Sequence, residues 1–413
     1  MKKHFLLALA AVCLATACTE QPKEATTANE INVAEGLENL TTLKTSDFGS
    51  SIRYIPLETT DDCLIGNRPT IEVLKKHIVV TTRTQCLLFN KEDGKFICPI
   101  GHIGEDPEGY SGTLHWVNES ETELYFKRRP SQLIRYNIQG NFAGKLDFGE
   151  ATGLASSYLI TDSMLVGYHN ELLIADKSAL TLFHTDATAK DSIAALLTPD
   201  GQTMNNINSI NVLKDLLAYG KWNESGVGMV TYKDGGKSII APSTSALWRN
   251  NGEIRFKENF IDTVYTLKNN RLIPYVSFHT GSWHWPENER TNTENNNKRL
   301  TVSYVAENNQ VLFFQCIQGL LLPGESILYN GVYNKETGIS KMAKGKDAIE
   351  DDLTHFLPFT PRTVSSNGEY AGLLEAPEIL EWAEENDKTG RNKQLDFIHN
   401  LTEEMNPVVV LVF

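Results

Sequence analysis

Beyond its first seventeen residues the chain has no run approaching the ~18 consecutive apolar residues that a membrane-spanning helix requires, so no later segment is expected to cross a bilayer as a helix. Basic residues are few and scattered, with 38 Lys and Arg against 52 Asp and Glu and a net charge of −14. Nucleic-acid binding needs clustered cations to displace phosphate counterions, and no such cluster occurs. The acidic balance suits a soluble monomer that resists self-association. Short catalytic signatures are missing as well: no Gly-x-Ser-x-Gly elbow, no Cys-x-x-Cys, no His-Glu-x-x-His, no phosphate loop and no Trp-Asp blade dipeptide. These absences exclude enzymes whose site sits within one motif. They leave untouched a site drawn from several distant strands.

Cysteine is also sparse, six in 413 residues. Cys13 and Cys18 lie at the N-terminus, leaving Cys63, Cys86, Cys98 and Cys316. With a turn centred on Asp93-Gly94, Cys98 faces Phe89 rather than Cys86, which is the wrong register for a disulfide. Buried free thiols are expected.

What is present begins with a processing signal. Met1-Lys2-Lys3-His4 is basic, Phe5 to Ala17 is apolar, and Ala15-Thr16-Ala17 precedes Cys18. Small residues directly before a cysteine are how a bacterial lipoprotein signal ends, so residues 1–17 are expected to be removed and Cys18 lipidated. Acyl chains would then be the membrane contact. Losing Lys2 and Lys3 takes the net charge from −14 to −16. Residues 18–45, polar and rich in Thr and Glu, are expected to form a flexible tether. A single folded domain is expected over 46–413, with 41% hydrophobic and 22% charged residues overall, a globular balance.

That domain reads as repeats. An aromatic residue leads into an Asn-started turn closed by Gly at Phe89-Asn90…Gly94, Tyr136-Asn137…Gly140 and Tyr333-Asn334…Gly338. Gly takes the positive-φ position and Asn bonds its own backbone. Phe89, Tyr136 and Phe183 are each 47 apart (136 − 89 and 183 − 136), matching the roughly 40–50 residues of a four-stranded propeller blade. Tyr232 and Tyr265, 33 apart, are too close for separate blades and read as hairpins of one enlarged blade. Six blades are expected, with seven as the alternative. The run Val408 to Phe413 is apolar and β-branched, as in a strand buried on both faces, and is expected to close the ring with the first strand. Ala376 to about Glu403, broken near Lys388-Thr389-Gly390, reads as a helical insertion in the last blade, opening on Pro377.

The runs RYIPLETTDDCLIG (Arg53–Gly66), FNKEDGKF, GHIGEDPEGY and NPVVVLVF, with Phe260 to Tyr265 and Pro274 between them, resemble the six-bladed β-propeller lipoproteins common in gut-type Bacteroidota, relatives of the NHL-repeat propellers. The resemblance covers nearly the whole mature chain. Where the family usually reads Gly-Gln-Gly-Pro-Gly-Glu-Tyr, this chain has Gly104-Glu105-Asp106-Pro107-Glu108-Gly109-Tyr110. It implies an outer-membrane lipoprotein of the cell envelope, periplasmic or surface-exposed, that binds or scaffolds, with an oligosaccharide or an envelope protein as partner. The alternative is an NHL-like hydrolase or lyase using a divalent metal in the central channel.

Candidate site residues follow from side-chain chemistry. Trp283 and Trp285 alternate around His284 in the polar segment from Gly281 to Arg299, and in an extended loop they would share a face fit for stacking on a sugar. Tyr110, His115 and Trp116 could add aromatic surface, and Arg128 and Arg129 hydrogen-bond donors. His102, Glu105, Asp106 and Glu108 form the densest polar cluster. The first three are weak metal candidates, since Gly, Asp and Pro suit an ordinary inter-blade turn. No cofactor is required by the binding reading.

Overall fold

The computed structural model describes residues 29–169, 178–196, 204–213, 227–240, 246–258, 260–289, 298–319, 326–345, 349–386 and 392–413. Its chain is mostly β and forms a six-bladed propeller. Blades 1, 2, 3 and 5 are antiparallel four-stranded meanders. They begin with the inner strands Thr70–Val73, His115–Val117, Ser157–Ile160 and Leu300–Glu307. Blade 4 begins with Leu247–Asn250 and carries a fifth, parallel strand at its outer edge.

Blade 6 closes the ring. Thr363–Val364, Tyr370–Leu374 and Val408–Val412 are joined by Ile52–Pro56, in the order in which they are hydrogen-bonded. Ile52 pairs with Val412 and Pro56 with Val408. Val408, Val410 and Val412 pack against Tyr304, Phe313 and Tyr370 of one inter-blade core. Val409 and Leu411 face the opposite core with Ile71, Val80 and Phe89. The β-branched run is thus buried on both faces, as its composition requires.

In blades 1 to 5 the aromatic hairpins fall where the turn chemistry puts them, on the third strand. Phe89, Tyr136, Phe183, Tyr265 and Tyr333 all lie on such strands. Asn90 Oδ1 accepts from the Glu92 amide at 2.7 Å, and Gly94 N–H closes the turn on Asn90 O at 2.9 Å. Gly94 has φ +72°, and a Cβ there would lie 2.1 Å from Pro56 O. Only glycine permits this hairpin to lie against the closing strand.

Among the described residues, six inter-blade cores, one per junction, separate six blades from seven. Tyr232 lies on a three-stranded sheet of Ile207–Leu213, Val227–Tyr232 and Lys237–Ile240. There Val230 and Tyr232, with Ile207, form a small cluster of their own. The inner strand of blade 3 instead adjoins that of blade 4. Tyr232 and Tyr265 therefore belong not to one enlarged blade but to an inserted sheet and the blade after it.

Two other expectations are revised, and the helical insertion is found as expected. The tether expected to run to residue 45 is docked from Asn29 onward. Asn29–Asn32 pairs with blade 4, α1 (Val33–Glu38) follows, and Leu43–Lys44 pairs with Ile349–Glu350. Ile31, Val33 and Leu43, at most 1% exposed, are sparse but sufficient anchors. A bulge between Leu88 and Phe89 puts Cys98 opposite Leu88 instead of Phe89. All four cysteines are free, with Cys63, Cys86 and Cys316 buried and Cys98 half-buried. The helical insertion is α2 (Ala376–Asn386) followed by a 3-10 segment, Lys393–Asn400. It packs Ile379, Leu395 and Ile398 beside the closing strand, and residues 387–391, where the break was expected, lie outside the described residues.

Removing Val408 to Phe413 would strip five buried side chains at ~1.5–3 kcal/mol each, about 7–15 kcal/mol. That matches the ~5–15 kcal/mol total stability of an ordinary domain. The truncated protein is expected to be insoluble or rapidly cut in limited proteolysis. A normal melting curve would refute closure by this strand.

Candidate functional site

The inner strands run parallel about a common axis, as the bridge between Asn118 and Ile160 records. The turns from first to second strand of each blade therefore gather at one mouth. Together the six strands enclose a cavity of about 740 Å³. Its wall carries Trp116, Tyr158, Trp248 and Tyr304 beside the polar Glu72, Ser157 and Arg249. The mouth carries Lys75, Glu119, Glu121, Asn250, Asn309 and Asn367.

Two charged arrangements stiffen the wall. Between blades 1 and 2, His115 Nε2 lies 3.0 Å from Glu72 Oε2 while its Nδ1 faces Thr113 O at 3.2 Å. Between blades 4 and 5, the side chain of Glu307 is fully buried and accepts from Trp248 Nε1 at 3.1 Å, Arg255 Nε at 3.2 Å and Tyr275 OH at 3.1 Å. Lys335 Nζ also contacts it. The Arg255 guanidinium lies 3.9 Å from the Tyr275 ring centroid. Burial, reinforced by Glu307, pushes the Tyr275 hydroxyl up to about 12, so it remains a donor to the carboxylate. Burial also lowers the Lys335 ammonium, against the pull of Glu307.

The residues singled out from sequence mostly serve other ends. Tyr110 is buried, stacked on Phe126 at 4.2 Å, with its hydroxyl donating to Ile100 O at 3.0 Å. Arg128 donates to the carbonyls of Asp106, Gly109 and Glu105, holding the 105–109 loop. Arg129 is exposed, and its amide donates to Ser111 Oγ. His102 pairs with Asp106 at 2.6 Å on the surface, and this contact lowers the Asp106 carboxyl. Glu105 is exposed beside them. Among the described residues no three His, Cys, Asp or Glu side chains gather as a metal site.

The tryptophan platform is corrected. Gly281–Trp283 is a 3-10 turn, not an extended strand, and Gly281 enters it at φ +56°. Trp283 therefore packs partly on the blade 4–5 core. Trp285 is 3% exposed, edge-on to Phe260 at 5.1 Å, with Nε1 donating to Glu289 O. His284 alone points outward, bonded to Asp262 at 2.9 Å. Of the expected set only Trp116 reaches the channel wall, 5% exposed and edge-on to Tyr158 at 5.1 Å. Ser157, Trp248, Arg249 and Glu307 had no local signal. Polar residues ending short apolar strands, as in Leu247-Trp248-Arg249-Asn250, are the pattern that points to them.

A closed propeller with one polar-mouthed axial channel is the class of protein these features define. Over residues 28–413 the chain matches the family described as a domain of unknown function, DUF4934, and it belongs to that family. A protein of Bacteroides fragilis NCTC 9343, provisionally named as exported, shares the fold at a TM-score of 0.63 and 16% identity, covering 90% of this chain and 97% of that one. A eukaryotic initiation factor (6% identity, 72% of this chain and 85% of that one) and the C-terminal WD40 domain of Sif2 (10%, 86% and 84%) reach TM-scores of only 0.31 and 0.32, too low to support an argument. No curated protein matches the chain in sequence.

Glu307→Gln removes the charge that Arg255 and Lys335 share, at an expected cost of about 3–5 kcal/mol. Denaturant unfolding monitored by tryptophan fluorescence measures it. A loss under 1 kcal/mol would show that the cluster does not clamp blades 4 and 5.

Proposed function

We propose that the protein is a binding protein of the bacterial cell envelope, anchored through lipid on Cys18, whose central channel takes a polar chain such as an oligosaccharide. The observation that carries this reading is the channel itself. Its volume, about 740 Å³, falls within the ~300–1,000 Å³ of ordinary ligand sites. The partly exposed Trp248 in its wall and amide side chains at its mouth suit a ligand that is apolar on its ring faces and hydroxylated at its edges. The leader sequence ending at Cys18 supports export, as does the name of the Bacteroides fragilis neighbour. The alternative of a hydrolase or lyase draws what support it has from the Glu72–His115 pair, in which a channel-lining carboxylate meets a buried imidazole behind it.

Asn309 and Ser366 line the mouth and are exposed, so Asn309→Trp and Ser366→Trp would obstruct it without touching the core. On an oligosaccharide array the wild type is expected to bind and the two variants to bind at least ~10-fold more weakly, with unchanged melting temperatures. Equal binding by the variants would remove the ligand from the channel, and release of cleaved product from the array would favour the enzyme. For the anchor, Cys18→Ser is expected to move the protein from the membrane fraction to the soluble one and to abolish labelling by radioactive palmitate. Unchanged fractionation would refute lipidation.

A further inference from the structure

Arg249, like Arg53 and Arg128, is bonded to carbonyls rather than to a carboxylate, but of these three it alone lines the channel. Arg255 meets Glu253 and Glu307, Arg299 meets Glu289, and Arg135 meets Glu123. Arg249, half-buried on the inner strand of blade 4, meets only backbone. Nη1 donates to Ile160 O at 2.6 Å, and Nη2 makes a long contact to Val117 O at 3.5 Å. No carboxylate among the described residues lies within ion-pair distance of it. Its guanidinium reaches from blade 4 to the ends of the inner strands of blades 3 and 2, and all three residues line the channel.

A half-buried guanidinium without a counter-charge carries a desolvation cost that no partner offsets, and two carbonyls occupy only two of its five N–H donors. The remaining fork matches the planar pair of oxygens of a carboxylate, or two oxygens of a sulfate. None of the acidic residues at the mouth is paired with it. Glu119 is exposed, and exposed pairs contribute only ~0–1 kcal/mol. Glu121 is engaged by the Lys75 amide at 2.9 Å. The overall charge of −14 repels anions only over the ~8 Å screening length of physiological salt. Across the ring on blade 1, the exposed Lys75 adds a second positive charge to the same mouth.

We propose that Arg249 is the specificity-determining residue of the channel and recognises an oxyanion, so that the channel selects acidic saccharides over neutral ones. This deepens, and rests on, the reading of the channel as a saccharide site.

The test titrates the folded protein by calorimetry with a uronate trisaccharide, a sulfated trisaccharide and a neutral trisaccharide. It is repeated for Arg249→Met, Arg249→Lys and the mouth-blocking Asn309→Trp, with melting curves to confirm folding. At least one acidic probe is expected to bind the wild type ~10- to 100-fold tighter than the neutral one, and the carboxylate and sulfate arms identify the group. Arg249→Met should erase that preference, and Arg249→Lys, which keeps the charge but not the fork, should retain part of it. Equal binding of neutral and acidic probes, or a preference that survives Arg249→Met, overturns the assignment. If the neutral probe binds and only Asn309→Trp weakens it, the channel reading stands and this one falls. If no probe binds, both fall.

Discussion

The closing pair of strands is the constraint on which the rest depends. Among the described residues Ile52–Pro56 and Val408–Val412 are the paired strands farthest apart in sequence, yet they hydrogen-bond along their full length. Each face of the Val408–Val412 strand belongs to a different inter-blade core. Blade 6 is thus the one blade that cannot form from a local stretch of chain. Loop-closure entropy must be met before its contacts give any return. Without it, Tyr370 and Phe313 on one side and Ile71 and Phe89 on the other would lose a wall. The channel exists because the ring is shut.

A shut ring also determines what the inner strands can do. Most of their apolar side chains are taken up by the cores between blades, so the axis is left to a few polar and partly exposed side chains, strand ends and turns. Polar groups are tolerated there because they answer to water or to each other. The buried carboxylates are paired, Glu307 by four donors and Glu72 by His115, whereas the half-buried Arg249 meets only backbone. Rigid pairs of this kind hold neighbouring blades at a fixed spacing, and so keep the mouth at one width.

Much of the architecture was legible because it repeats through local chemistry. An Asn that bonds its own backbone, a Gly at positive φ and an aromatic on the third strand are all encoded within ten residues of one another. The terminal valines announced two-sided burial by lacking any alternation. The channel was illegible for the opposite reason. Trp116, Ser157, Arg249 and Glu307 come from four blades, and no spacing relates them. Trp283 and Trp285 misled because alternation means a shared face only in an extended chain, and Gly281 turns this one. The segment from Asn29 to Lys44 misled because three well-placed apolar side chains suffice to dock a polar stretch.

That segment has a mechanical consequence. Before the chain contributes Ile52–Pro56 to the ring, it is laid in parallel beside Arg271–His279 on blade 4, capped by α1 and pinned again at Leu43. A pull on the chain upstream of Asn29 is therefore met first by the shear resistance of that added strand. The closing sheet would feel such a force only after the clamp had given way, so the load path of any anchor is kept apart from the seam of the ring.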